Sequence, residues 1–228
     1  MGLLIGIKWH LAGLAVALAW TPVPSKAASP CKANRPAVQV VVKADNGRVI
    51  DKSGHTRGDL KRIQNRHGGM KGAKGWYPLG ITVANFQLEM RINFFIKQIS
   101  PNRFCALAES IDISFGYPEF IVYIDRRYPK FSCEYRAIRR HEEAHIAIHR
   151  EKLAIYKPWL RDRMAKEARR MNPVIVPTPK LAGERIKKML TVKIGPLVDK
   201  FHKATDSANA KIDTKENYGK IQRLCEKW

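Results

Sequence analysis

The first half of the chain alternates between apolar and polar residues with a period of two. The clearest run lies within 81–98, where every second position is apolar: Phe86, Leu88, Met90, Ile92, Phe94 and Ile96. Successive side chains of a strand point to opposite faces, so this run predicts one long strand with one face on a core. Shorter apolar patterns predict further strands at 38–42, 111–115 and 120–124. We therefore expect an antiparallel sheet of three or four strands.

The second half of the chain favours helices. A first helix is predicted over 134–157, because Ser132 is a suitable N-cap and Pro158 lacks the backbone donor that would continue the helix. The segment 172–179 contains three prolines and predicts a rigid break. A second helix is expected between Pro158 and that break, and a third over about 183–203.

The segment 45–75 is rich in glycine, lysine and arginine, which predicts a loop with a short helix near 59–66. Its glycine cluster, 68–75, lacks the terminal Lys-Ser/Thr of a phosphate-binding loop, so we interpret it as loop alone. Strands followed by helices predict an α+β fold. We expect a single domain over 28–228, with a β-rich part at 28–130 and a helical part at 131–228.

Residues 1–27 have the order of a secretory signal. Lys8 precedes an apolar run at 11–20, and small residues at Ser25 and Ala27 flank Lys26 at the expected cleavage site. The run is too short for a comfortable bilayer span. The protein is therefore expected to be exported to the periplasm or secreted, and to be membrane-anchored if the segment stays uncleaved.

The composition adds a strong positive charge to this picture. The 228 residues include 42 Lys and Arg against 20 Asp and Glu, with 45% hydrophobic residues. These proportions exclude a disordered tail, a collagen-like fibre and a polytopic membrane protein. The predicted signal holds two lysines and no acidic residue, so the mature chain keeps a formal charge of +20. This charge predicts attraction to an anionic envelope or membrane surface, and no motif for a specific nucleic-acid partner is present.

Four cysteines remain after cleavage: Cys31, Cys105, Cys133 and Cys225. An even number in an exported chain predicts two disulfides, with three alternative pairings. Pairing Cys31 with Cys225 would tie the two ends of the chain together, and the other pairings stay open. None of the four belongs to a C-x-x-C pair, so the sequence argues against a redox motif.

The first predicted helix carries the motif H-E-x-x-H, from His141 to His145. Positions i and i+4 of a helix differ by about 40° and lie about 6 Å apart along the axis, so both imidazoles can bind one zinc ion. Glu142 borders the same face and can approach a metal-bound water as general base, because zinc lowers the pKa of that water to about 7. Glu143 falls on another face as a solvated charge. The alternative is a helix whose histidines merely face solvent.

A third metal ligand must come from elsewhere in the chain. His149 continues the histidine row, but it lies about 12 Å along the axis from His141. Zinc–nitrogen bonds are about 2.0–2.1 Å long, so one ion cannot hold both, and His149 is expected to support the site or face solvent. The open candidates for the third ligand are Glu167, His202, Asp213 and Tyr218.

Two segments carry a resemblance to a known family. Residues 141–148 read HEEAHIAI and residues 212–222 read IDTKENYGKIQ. This order resembles a family of bacterial predicted secreted zinc-dependent proteases, which combine a β-rich front, an H-E-x-G-H helix and a tail Y-D-x-x-T-x-H-G-x-x-Q. Here Ala144 replaces the glycine, Glu216 stands in place of the threonine, and Tyr218 stands in place of the tail histidine. If that histidine binds metal in the family, the resemblance implies that Tyr218 substitutes for it or that the site is altered.

These observations predict an exported zinc metallopeptidase with one zinc ion per chain. His141 and His145 would hold the ion, Glu142 would activate water, and Tyr218 would act as third ligand or as a transition-state donor. The expected substrate is a peptide or protein, and the expected state is a monomer. The alternative function is that of a non-enzymatic cationic protein that binds the envelope or another anionic surface.

Overall fold

A single strand of 23 residues, β4 (Arg103–Asp125), organises the sheet. One of its edges pairs antiparallel with β3 (Gln87–Ser100) and, further along, with β2 (Gly80–Ala84). Its other edge pairs parallel with β1 (Gln39–His55) and antiparallel with the short β5 (Val174–Val176). Every other strand therefore takes its register from β4.

The computed structural model describes Cys31, residues 37–67 and residues 77–228, and the described residues from 37 onward belong to one unit. The helices are α1 (Arg57–His67), α2 (Cys133–Met171), α3 (Lys180–Ile212) and α4 (Lys215–Gln222). The predicted α+β class is confirmed. The sheet has five strands in the described residues rather than three or four, and the β1–β4 pair is parallel rather than antiparallel. The predicted signal segment and the glycine cluster 68–75 lie outside the described residues.

The strand boundaries differ from the prediction in three places. The predicted strands 111–115 and 120–124 are parts of the one strand β4, joined through Gly116. The predicted strand 81–98 is divided into β2 and β3. β1 continues to His55 through residues predicted as loop, because it pairs with β4 while most of its side chains stay exposed and carry little hydrophobic signal.

The helices are longer than predicted. Ser132 caps α2 as expected, since its side chain accepts a hydrogen bond from the backbone N–H of Tyr135. Pro158 does not end α2, which continues to Met171, so the predicted second helix is its C-terminal half. Buried side chains on both sides of the proline, including Leu153 and Leu160, keep the helix packed in the core and offset the lost hydrogen bond.

The core lies between the sheet and the pair α2–α3. Phe115 and Phe120 of β4 are fully buried, as are Leu190 and Phe201 of α3. The ring of Phe201 contacts Phe115 at a centroid distance of 5.0 Å and Tyr156 of α2 at 5.6 Å. This contact holds the two long helices in a fixed position on β4.

One disulfide joins the two ends of the helical half. Cys133, the first residue of α2, is bonded to Cys225 after α4. Cys31 and Cys105 are also disulfide-bonded, so the pairing of Cys31 with Cys225 is wrong. Two disulfides are typical of the periplasm or the extracellular space. In the described part of the chain, no helix combines the length and the apolar character that crossing a bilayer requires.

Gly116 provides a test of the joined strand. Its φ is 148°, and a Cβ atom there would lie 2.3 Å from the carbonyl oxygen of Asp45 on β1. We expect Gly116→Ala to lower the free energy of unfolding by about 2–4 kcal/mol, through the clash and backbone strain. Gly58→Ala, in α1, meets only ordinary contacts and should change it by less than about 1 kcal/mol. Equal stability of the two variants in urea unfolding would contradict the β1–β4 pairing.

Candidate metal centre

The two motif histidines face each other on one side of α2. The Nε2 atoms of His141 and His145 are 3.3 Å apart, and their rings meet edge to face with a centroid distance of 4.8 Å. The i, i+4 spacing on a regular helix produces this approach. Both side chains are about nine-tenths buried, with exposed fractions of 9% and 11%. The pair therefore presents two imidazole nitrogens to one small space.

Asp213 completes the group from a different part of the fold. Its Oδ1 lies 3.0 Å from Nε2 of His141 and 3.1 Å from Nε2 of His145. Asp213 is the C-cap of α3, and the next residue, Thr214, caps the N-terminus of α4 by accepting a hydrogen bond from Asn217. The carboxylate therefore sits at the capped junction between two helices.

The group formed by His141, His145 and Asp213 could hold a metal ion. Its three ligand atoms are 3.0–3.3 Å apart. Tetrahedral zinc with bonds of about 2.0–2.1 Å separates its ligand atoms by roughly 3.3 Å. The existing spacing therefore needs only a small expansion to accept the ion. Two imidazoles and a carboxylate are also a donor set that zinc accepts in hydrolytic sites.

The other three candidates for the third ligand are placed differently. The hydroxyl of Tyr218 donates a hydrogen bond to Oδ1 of Asp213 at 3.0 Å, so Tyr218 lies beside the group. Glu167 is near the opposite end of α2, in ion pairs with Arg163 and Arg170. His202 packs edge-on against Phe86. The fold thus brings Asp213 and Tyr218 to the histidines, and Glu167 and His202 are not part of the metal-binding group.

The charges within the group stabilise each other. Burial acts to raise the pKa of Asp213, but hydrogen bonds from His141 and His145 outweigh it and hold that pKa well below its usual range. Burial acts to lower the pKa of His145, yet its hydrogen bond to Asp213 and the negative charges of Glu142 and Asp213 raise it to about 9. Without metal, His145 is therefore protonated at neutral pH, and a metal ion must displace that proton.

Glu142 is held against β2. Its side chain is buried, and the hydroxyl of Thr82 donates a hydrogen bond to its Oε2 at 2.8 Å. Gly80 leaves room for the carboxylate, since a Cβ atom there would lie 2.7 Å from Oε1 of Glu142. Burial raises the pKa of Glu142, and the nearby charges of His145 and His141 offset the rise only in part. A carboxylate with a raised pKa is better suited to accept a proton near neutral pH.

Asn209 of α3 fixes the orientation of His145. Its Oδ1 lies 2.9 Å from Nδ1 of His145, so the ring donates its Nδ1–H and leaves Nε2 to face Asp213. The amide Nδ2 lies 3.4 Å from Nε2 of His149, whose Nδ1 is 2.8 Å from the hydroxyl of Tyr117. Burial lowers the pKa of His149 to about 4. A neutral His149 thus accepts the hydrogen bond of the Asn209 amide and helps to hold that side chain. His149 is not part of the metal-binding group.

Sequence reasoning did not identify Asn209, Thr82 or Gly80. Asn209 stands one helical turn before Asp213, and this spacing places both on one face of α3. That signal becomes useful only once the partner helix is known. Thr82 and Gly80 belong to a strand 60 residues before Glu142, and no local pattern connects the two segments.

The orientation of His145 can be tested by replacing Asn209. Asn209→Leu removes the acceptor for Nδ1–H, so we expect zinc affinity to fall by about 10–100-fold in competition with a chromogenic chelator. Asn209→Asp keeps an acceptor at that position and should retain affinity within about threefold of the original protein. Unchanged affinity in Asn209→Leu would contradict the orienting role.

The geometry of this site stands without support from known proteins. No family model matches the chain, and comparisons with curated proteins and with solved structures give no match either.

Proposed function

We propose that the protein is an exported zinc-dependent metallohydrolase that acts as a peptidase. One observation carries the proposal: the Nε2 atoms of His141 and His145 and Oδ1 of Asp213 converge within 3.3 Å, and Glu142 adjoins them on the same helix. A cluster that only stabilised the fold would need no more than the ion pairs of the two histidines with Asp213. A buried carboxylate of raised pKa beside a metal-binding group suits hydrolysis.

Zinc, one ion per chain, is the proposed cofactor. When bound, it polarises a substrate carbonyl and lowers the pKa of water to about 7. The proposed ligands are His141, His145 and Asp213, so Asp213 takes the place for which Tyr218 was one candidate. Asn209 supports the site by keeping Nε2 of His145 available to the ion.

Glu142 is the proposed general base. Its carboxylate would accept a proton from the attacking water and later return it to the leaving amine. The hydrogen bond from Thr82 and the space left by Gly80 hold the carboxylate in one orientation. A fixed orientation matters because proton transfer requires hydrogen-bond distance to the water.

Tyr218 is the proposed transition-state donor. Burial and the negative charge of Asp213 raise the pKa of its hydroxyl well above the usual range, so it stays protonated at any pH at which a peptidase works. In the structure that hydroxyl donates to Asp213. A rotation of the tyrosine side chain toward a substrate would let the same proton stabilise a developing oxyanion.

A single substitution separates metal binding from turnover. We expect Glu142→Gln to lower kcat by about 10²–10⁴-fold, because the amide cannot accept the proton, and to keep about one zinc per chain. The measurement is the cleavage rate of a mixed fluorogenic peptide library by the zinc-loaded protein. Cleavage by the unaltered protein should stop on chelation and return with zinc.

The neighbouring residue provides a matched control. Glu143 is exposed and ion-paired to Arg139, so Glu143→Gln should retain activity within about twofold. Glu142→Gln activity within threefold of the unaltered protein would remove the general-base role. A zinc-loaded protein that cleaves no member of the library would contradict the peptidase proposal.

A further inference from the structure

A groove separates the C-terminal end of α2 from the N-terminal half of α3. It forms a cavity of about 700 Å³. Four cations line it: Arg170, Arg185, Lys188 and Lys193. Among its described lining residues Glu167 alone is acidic, and Arg163 and Arg170 already pair with that carboxylate. The groove therefore carries a net positive charge.

The two lysines of the groove are available to an anion. Within the described part of the chain, neither Lys188 nor Lys193 has an acidic side chain within salt-bridge distance, and both are exposed. Arg185 is held in place by donating to the carbonyl oxygen of Ile175 at 3.0 Å. A concave surface lined by one sign of charge concentrates its field and attracts the opposite charge.

Apolar side chains lie among these cations. Val192 is 67% exposed and Met189 is 38% exposed, and both line the groove. Leu181 is exposed on the same side of α3, because positions 181, 185, 188 and 192 follow a helical repeat. Lysine and arginine around exposed apolar residues on one helix face are typical of helices that lie on a membrane surface. A soluble acidic peptide would match the charge but would not account for the exposed valine and methionine.

We propose that this groove docks the protein onto an anionic phospholipid bilayer. The phosphates of the headgroups would bind Lys188, Lys193 and the arginines, while Met189 and Val192 would enter the boundary between headgroups and acyl chains. The formal charge of the chain, +22 in full and +20 without residues 1–27, supplies long-range attraction to the same surface. Resting on the proposed function, docking would bring the peptidase site to the envelope. The residues that line the groove do not include those of the metal-binding group.

The groove is separate from the metal centre. Glu167 follows His145 by 22 positions on α2, which corresponds to about 33 Å along a helix axis. The two sites can therefore be tested independently, and lipid binding is expected to survive metal chelation.

The test is co-sedimentation of the purified protein with phospholipid vesicles in the presence of a chelator. Vesicles of phosphatidylcholine with about 30% phosphatidylglycerol should bind the protein, and pure phosphatidylcholine vesicles should not. Lys188→Glu/Lys193→Glu is expected to weaken this binding by at least about tenfold. The matched control, Lys200→Glu/Lys203→Glu, makes the same charge change at exposed positions further along α3 and should weaken it by less than about threefold.

A second variant tests the apolar part of the surface. Val192→Asn is expected to lower the binding that remains in about 0.5 M salt. At that concentration the Debye length is about 4 Å, so most of the electrostatic attraction is screened. Equal losses in the two lysine double variants would overturn the proposal in favour of attraction by the total charge. Full displacement by an acidic polypeptide, with no effect of Val192→Asn, would assign the groove to a peptide partner instead. Circular dichroism of each variant confirms that the fold is intact.

Discussion

The antiparallel register of α2 and α3 brings the residues of the candidate metal-binding group together. His141 meets Asp213, His145 meets Asn209, and Tyr156 meets the backbone of Lys200. These pairs advance in opposite directions along the two helices in nearly equal steps. A shift of one residue in α3 would rotate Asn209 and Asp213 away by about 100°. The buried contacts of Phe201 with β4 and α2 fix that register.

The site concentrates opposite charges where water has limited access. Two carboxylates, Glu142 and Asp213, lie close to two imidazoles in a largely buried space. Burying a carboxylate without compensation is strongly unfavourable. Without metal, the proton on His145 provides part of the compensation, as its raised pKa indicates. A divalent cation would supply more positive charge at the same point, so the geometry and the electrostatics favour the same occupant.

The sequence predicted those parts of the molecule that depend on local pattern. The H-E-x-x-H spacing placed His141 and His145 on one face of a helix, and the Ser132 cap marked where that helix begins. The sequence did not single out Asp213 as the residue that completes the candidate metal-binding group, because Asp213 reaches the histidines only through the register of two long helices. The prediction that the helix ends at Pro158 was wrong for a related reason. Buried contacts on both sides of the proline outweigh its local preference to end a helix.

The sheet shows the same limit of prediction from local sequence pattern. β1 has weak alternation because it lies along the edge of β4 with most side chains exposed, so its length follows from pairing and not from its own residues. Similarly, nothing in the sequence around Gly116 indicates that the patterns at 111–115 and 120–124 form one strand. In both cases the decisive contacts are between segments more than 60 residues apart.

Zinc content tests the central claim most directly. Elemental analysis of the purified protein after zinc reconstitution and dialysis should give about one zinc per chain. Asp213→Ala and His145→Ala should lose it, while Glu167→Gln, which alters a buried carboxylate far from the group, should keep it. Absence of zinc from the unaltered protein, or a full complement in Asp213→Ala, would contradict the account.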